Sequence, residues 1–343
     1  MYLSKKSKKL PFVSVVIVNF NGQNYLKQCL DTLLNTSYAD FEVVIVDNAS
    51  TDQSLTKIES FASDPHVKVV KNQQNAGHAK GCNIGAQVAT GEYLVFLDSD
   101  IEFEEKNWLS ELVNVMEKDH TIGIAQAKIV LAQNKQKLEY VCLNVDALGS
   151  WSATYGFDQN RFETNFELMA ASSGCCIVRK QVFDQIGGFD DDYFIYDDDT
   201  DLSFRARLLG YRVMFVSSSI VVHRGGVLRG VSGQLLFHSS KNRFYTLLKN
   251  YELKNVLWRF PLLSFLTLMV SATFFVTKKH QEAKASLRGV INPVVDLPNI
   301  WKKRLTVQHK RRVKDSELIE AGFVRNDFQG TLDDLKLKLK HMQ

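Results

Sequence analysis

The stretch Phe194–Arg205, FIYDDDTDLSFR, places Asp197, Asp198, Asp199 and Asp201 close together behind an aromatic run. Helix capping accounts for one or two of them: an apolar pattern at Leu202, Ala206 and Leu209 begins here and stops at Gly210, and a helix N-terminus favours Asp. Carboxylates this crowded repel one another, and like charges push some pKa values up, which suits a group that must take a proton. A second acidic group, Asp98 and Asp100 of DSD, follows the apolar run YLVFL. Two acids with one spacer at a strand end can meet a divalent cation and a diphosphate, because magnesium and manganese favour oxygen ligands and keep positions open for phosphate. Asp47 ends another apolar run, and His223 ends SSSIVVH. A single His at a strand end is, read on its own, more often structural.

These residues need a scaffold, and the periodicity supplies one. Strand-like runs VSVVIVNF, FEVVIVDNAS and VKVVKN alternate with helical patterns through YLKQCLDTLLN and SLTKIESFA, and a third helix through HAKGCNIGAQVA leads to GEYLVFLDSD. Successive strand–helix–strand units predict a parallel sheet with helices on its faces, and the last strand is apolar until its end, as a fully buried strand should be. Further strands are expected at GIAQAKIVL, CCIVRK and RVMFVSSSIVVH. Ligands of such sheets bind beyond the carboxyl ends of the strands, where Asp47, Asp98 and Asp100 fall.

With 343 residues, 45% of them hydrophobic, the chain can bury a large core. The net charge of +4 is uneven, with Lys and Arg at the two ends and Asp in the middle. Five cysteines without a C-x-x-C pair indicate neither a disulfide framework nor a zinc site and fit a reducing compartment. The basic, apolar start lacks a small-residue cleavage site, so Phe12–Phe20 reads as strand one rather than a signal peptide. No G-x-G-x-x-G follows that strand, where the chain reads NFNGQNYL, which rejects a dinucleotide-dependent dehydrogenase. A sugar nucleotidyltransferase would need a Gly-rich basic loop at the same place. Basic runs such as HKRRVK lie outside the folded core and belong to no recognisable nucleic-acid module, so no nucleic-acid partner is expected.

The segments VVIVNFNG, VVIVDNASTDQS, NAGHAKGCNIG, YLVFLDSD, SGCCIVRKQVFDQIGGFDDDYFIYDDDTDLSFRARLLGYRV and VVHRGG occur in this order. Together they resemble the family 2 glycosyltransferases of the GT-A fold, in the bacterial and archaeal branch with many rhamnosyltransferases, over Pro11 to about Asn250. The resemblance implies an α/β fold with a Rossmann-like, mostly parallel central sheet. In that family the late motif runs Glu-Asp-x-Asp-Leu and its Asp deprotonates the acceptor hydroxyl; the matching position is Asp199, with Asp201 and Leu202 completing the motif. Asp198 stands where Glu is usual. By the same resemblance Asp47 accepts from a uracil or thymine imide, Asp98 holds ribose or metal-bound water, Asp100 coordinates Mg2+ or Mn2+, and His223 joins the metal and diphosphate. Asn19, Asn75 and Asn83 match donor-side positions. Asp198, Asp201, Tyr196 and Trp151 are acceptor-side candidates.

Phe260–Thr277 carries no charge, and as a helix it would reach roughly 27 Å, short of an average hydrocarbon core. With Pro261 and several hydroxyls inside it, the segment is expected to lie in a membrane surface, fixed by Trp258, Arg259, Lys278 and Lys279; a buried helix of a soluble domain is the competing reading. The expected organisation is a basic tail over 1–10, a glycosyltransferase domain over 11–250, a membrane-associating helical region over 251–300 and a basic tail over 301–343. A cut before Phe260 is expected to leave a donor-binding fold. The whole reads as an inverting, metal-dependent glycosyltransferase at the cytoplasmic face of the membrane. It would move sugar from a UDP or dTDP donor, dTDP-rhamnose among them, to a hydroxyl of a growing lipid-linked glycan. A non-catalytic sugar-nucleotide or glycan-binding protein on the same fold is the alternative.

Overall fold

The computed structural model describes residues 10–149, 151–153, 155–225 and 233–327. Its first half runs β1 (Val13–Asn19), α1 (Leu26–Leu33), β2 (Phe41–Asp47), α2 (Ser54–Glu59), β3 (Val67–Lys71), α3 (His78–Val88), β4 (Tyr93–Asp98), β5 (Ile101–Glu102), α4 (Trp108–Lys118), β6 (Ile122–Leu131), β7 (Asn134–Leu138), β8 (Cys142–Val145) and β9 (Trp151–Ala153). It continues through β10 (Phe166–Glu167), β11 (Cys175–Arg179), α5 (Lys180–Ile186), α6 (Asp198–Leu208), β12 (Arg212–His223), α7 (Gly233–Asn250), α8 (Leu253–Val276), α9 (His280–Val295), α10 (Leu297–Lys310) and α11 (Asp315–Glu320).

The central sheet has the order β10-β12-β6-β11-β4-β1-β2-β3. Strands β4, β1, β2 and β3 are parallel, as the alternating strand and helix patterns require. Their registers set Asn19 opposite Asp47, and Val18 opposite Asp98, so the polar residues that end each apolar run gather along one edge. The side-chain period of two sorts each strand between two cores. Val15, Ile17, Val95 and Leu97 pack with α1 and α4 on one face, whereas Val16, Phe96 and Cys176 pack with α3, α5 and α6 on the other. All five cysteines are buried thiols.

Two departures from strict strand–helix alternation matter for the site. β11 inserts antiparallel between β4 and β6, with Cys175 opposite Leu97. The short β5 pairs antiparallel with the end of β12, setting His223 opposite Ile101 and thus beside Asp100.

The C-terminal helices are not appended to a finished domain. A third apolar cluster joins Phe204 and Leu208 of α6 to Phe244, Leu247 and Tyr251, then to Leu263 of α8 and to Leu318 and Val324. A cut before Phe260 would open this cluster. Arg259 corrects another expectation: it is fully buried, donating to the Ala147 carbonyl and, at 3.0 Å, to Asn326, and cannot anchor lipid.

Candidate active site

Asp98 ends β4, Asp100 follows it in the turn to β5, and His223 ends β12; one ligand atom from each falls within 4.8 Å of the others. His223 Nε2 lies 2.8 Å from Asp100 Oδ1, and its Nδ1 meets the Glu139 carboxylate. Burial works against protonation of His223, but the bonds to Asp100 and Glu139 outweigh it and hold the imidazole pKa up at about 11. Burial and the neighbouring Asp100 raise the Asp98 carboxyl above its ordinary value. Two carboxylates and an imidazole converging from the ends of β4 and β12 and from the turn after β4 fit a divalent cation such as Mn2+ or Mg2+, and Glu139 stands where it would orient the His ligand. A Cβ at Gly225 would come within 2.0 Å of Asp100 Oδ2, so a side chain there would have to displace that carboxylate.

Asp47 is held at the end of β2 by Asn19 Nδ2 (2.9 Å), by Ser50 Oγ (2.6 Å) and by the Ser50 backbone N–H (3.0 Å). Asn19 is fully buried behind it and also donates to Ser50. Asn19 thereby fixes the orientation of the Asp47 carboxylate. Asn75 accepts from the Gly77 N–H at 2.9 Å and shapes the turn into α3. Asn83 faces elsewhere: its amide donates to the Phe189 carbonyl and Asp191, and accepts from the Phe189 N–H. That side chain pins the 189–191 turn to α3.

Asp199 lies in the first turn of α6, beside the donor-side acids. The Ser173 N–H donates to its carboxylate at 3.2 Å, while the next residue, Gly174, accepts from the Asp98 N–H at 3.1 Å. Burial, then Asp198 and Asp197, push the Asp199 carboxyl up to about 7, against the N–H bonds of Ser173 and Thr200 that favour the anion. The crowded aspartates thus have distinct roles.

Asp198 is buried and bonded to His78 Nδ1 at 2.6 Å, and His78 Nε2 sits 3.9 Å from Asp98, so a side chain at the start of α3 links the two acidic groups. Asp201 is fully buried and meets Arg205 (2.8 Å), Lys249 (2.9 Å) and Asn250 (2.9 Å). Both side chains are turned to partners inside the protein. Tyr196, three residues before Asp199, is 43% exposed. The Trp151 side chain lies outside the described residues.

His78 and Glu139 escaped the sequence reading. His78 sits inside NAGHAKGCNIG, but nothing in its spacing tells of Asp198; Glu139 lies in an ordinary charged stretch and only the pairing of β6 with β7 brings it to His223.

The model of glycosyl transferase family 2 matches residues 14–187, over half of the chain. The O-antigen biosynthesis protein RfbC of Myxococcus xanthus is 26% identical over 229 residues, which cover 64% of this chain and 18% of RfbC. The chain spans 18%, 39% and 57% of the lengths of three curated relatives, RfbC and two uncharacterized glycosyltransferases of Haemophilus influenzae. Among solved structures, GalNAc-T7 with UDP, GalNAc and Mn2+ superposes with a TM-score of 0.58 at 21% identity, covering 71% of this chain and 48% of that one. The mannosyltransferase PcManGT of Pyrobaculum calidifontis, in complex with GDP-Man and Mn2+, gives 0.51 at 17% identity, covering 85% and 88%. Likeness at these identities establishes the GT-A fold. With the family match spanning the strands that carry Asp47, Asp98 and Asp100, the chain belongs to glycosyl transferase family 2.

Proposed function

We propose that the protein is an inverting glycosyltransferase that uses a nucleoside-diphosphate sugar, a divalent cation and a hydroxyl acceptor. The observation that carries this reading is the meeting of Asp199, its carboxyl raised to about 7, with the Asp98–Asp100–His223 cluster across the Ser173–Gly174 link. Asp199 takes the proton of the acceptor hydroxyl as its oxygen attacks the anomeric carbon, and the bond from that carbon to the diphosphate oxygen breaks on the opposite side. The electron pair leaves with the nucleoside diphosphate. Asp98, Asp100 and His223 would hold a divalent cation, which would supply Lewis-acid stabilisation of that leaving group. Asp47, fixed by Asn19 and Ser50, would receive the imide of a UDP or dTDP base, consistent with the UDP present in the GalNAc-T7 structure.

The site's working place is read from the C-terminal helices. Leu257, Phe265, Phe275 and Val276 of α8, Val295 of α9, and Trp301 and Leu305 of α10 are exposed, close to exposed Lys278, Lys279 and Lys302. Apolar area of this kind with basic residues fits an anionic membrane surface. At 24 residues α8 is the one helix among the described residues long and apolar enough to cross a bilayer. Its Ser271 and Thr267 are bonded to α9 at Ala283 (2.8 Å) and Ser286 (3.4 Å), so crossing would drag the charged α9, with Lys284 and Arg288, into the hydrocarbon. A helix lying in the cytoplasmic leaflet avoids that cost and would bring the active site to a lipid-linked glycan acceptor, in keeping with the similarity to the O-antigen biosynthesis protein RfbC.

A panel of UDP-, dTDP- and GDP-sugars, read for binding and for nucleoside diphosphate release with Mn2+ or with EDTA, tests the chemistry. Turnover of one donor that EDTA abolishes is expected. Donor binding without any turnover would favour the sugar-nucleotide-binding alternative. Vesicle sedimentation tests the location: binding should rise with anionic lipid and weaken in high salt, and full-length protein that ignores anionic vesicles would remove the membrane assignment.

A further inference from the structure

The turn that delivers Asp199 is strained. Phe194 (φ 60°), Tyr196 (φ 68°) and Asp197 (φ 57°) all occupy the left-handed half of the backbone map without being glycine. Phe194 has ψ −60°, and the Ile195 N–H donates to the Tyr193 carbonyl at 2.7 Å, a tight three-residue turn that L side chains rarely adopt. Such a turn persists only where its surroundings over-determine it.

One side chain does most of that holding. Asn242 of α7 is fully buried, and the two N–H groups of its Nδ2 are shared among the carbonyls of Tyr193 (3.0 Å), Ile195 (2.9 Å) and Tyr196 (2.7 Å). From the other side the His78 N–H takes the remaining carbonyl of the run, Phe194, at 2.5 Å. Gly77 permits this approach, because a Cβ there would stand 2.6 Å from the Phe194 oxygen. Directly after this run the chain enters α6 through left-handed Asp197, and Asp199 turns toward Ser173.

We propose that Asn242 is a positioning residue for sugar transfer: by fixing the carbonyls of Tyr193, Ile195 and Tyr196 it sets the direction in which Asp199 meets the acceptor. The inference rests on the reading of Asp199 as base. Among the described residues Asn242 bonds to none on the donor side, so its loss is expected to act on kcat and to leave donor affinity alone. Leu has the shape of Asn without its donors, and Phe194→Gly relieves the backbone at the tightest point of the turn.

Full-length wild type, Asn242→Leu and Asn242→Leu with Phe194→Gly are compared for turnover of the best donor in the panel and for UDP binding with Mn2+. The leucine variant should lose about a hundredfold in kcat, the scale of a misplacement near 1 Å, with UDP affinity within about threefold of wild type. The added glycine should restore at least about tenfold of the lost rate, which a merely structural role would not allow. Turnover by Asn242→Leu within about threefold of wild type, or parallel loss of kcat and UDP affinity, overturns the proposal. Should the leucine variant fail to fold, Asn242→Ser, which keeps one donor, is read the same way, and loss of fold there too would make Asn242 a core residue only. Wild type that turns over no donor overturns the underlying function, whereas active wild type with an equally active Asn242→Leu overturns this inference alone.

Discussion

The donor side and the base side of the cleft are built in opposite ways. On the donor side, Asp47 and Asp98 end parallel strands on either side of β1, and the register of β1 with β2 and β4 brings them to one edge of the sheet. On the base side, Asp199 follows a strained turn that is held by Asn242 from α7. The ion pairs around it also come from afar: Lys249 to Asp190 and Asp201, and Lys303 of α10 to Asp190 and Asp192. Strand ends are positioned by backbone pairing, which is local and rigid, whereas the base depends on side chains contributed after Asn250 as well as before it. Changes in the C-terminal helices should therefore strike transfer or folding, and changes at the strand ends should strike donor affinity.

The largest effect expected from this contrast is at Asp201. Asp201→Ala leaves Lys249 and Arg205 buried without their common carboxylate, and breaking such a network should cost about 3–5 kcal/mol. A denaturant melt should show this even with a saturating donor absent, and a stability unchanged from wild type would mean the base side is not braced from α7. Next, Asp100→Ala should weaken Mn2+-dependent donor binding by about 10- to 100-fold, as lost metal ligation commonly does, while leaving the melt nearly unchanged. Calorimetric titration with and without EDTA checks it; affinity that ignores both the substitution and EDTA would remove the metal from the account.

The smallest effects are those of pH. Transfer needs ionised Asp199, so kcat should rise with pH through about 7 and level above it. Asp198→Asn removes one of the negative charges that raise Asp199, so the limb should move to lower pH. Stability carries the opposite sign. A carboxyl whose folded pKa lies above its unfolded value is most favourable below the unfolded pKa and loses that advantage as pH rises through the folded one. Asp199→Asn cannot ionise and should therefore melt higher than wild type above pH 7, by a few degrees, with no gain near pH 4. An unshifted limb in Asp198→Asn would show that the aspartates do not interact.

Legibility in the sequence follows the same division. The strands β1–β4 and the helices between them coincide with the alternating patterns, and Asp47, Asp98 and Asp100 lie where those patterns end, because parallel pairing translates sequence order into space. FIYDDDTDLSFR marked the base side but could not sort its acids. Asp198 and Asp201 differ from Asp199 only in what they meet, His78 in one case and Arg205 with Lys249 in the other, and those partners lie far along the chain. Arg259 was misplaced for a related reason: flanking an apolar run, it resembles a lipid anchor, yet the third cluster closes over it. Asn83 shows the converse, a motif asparagine whose hydrogen bonds are all internal.

The central claim is that Asp199 serves as the proton acceptor of a site whose donor half works independently. Asp199→Asn keeps the shape and the N–H bond from Thr200 but cannot take a proton. Measured on one preparation, donor affinity in Mn2+ should stay within about threefold of wild type while transfer falls by about a thousandfold or more. Transfer by Asp199→Asn within a few-fold of wild type, with donor binding intact, would contradict the account.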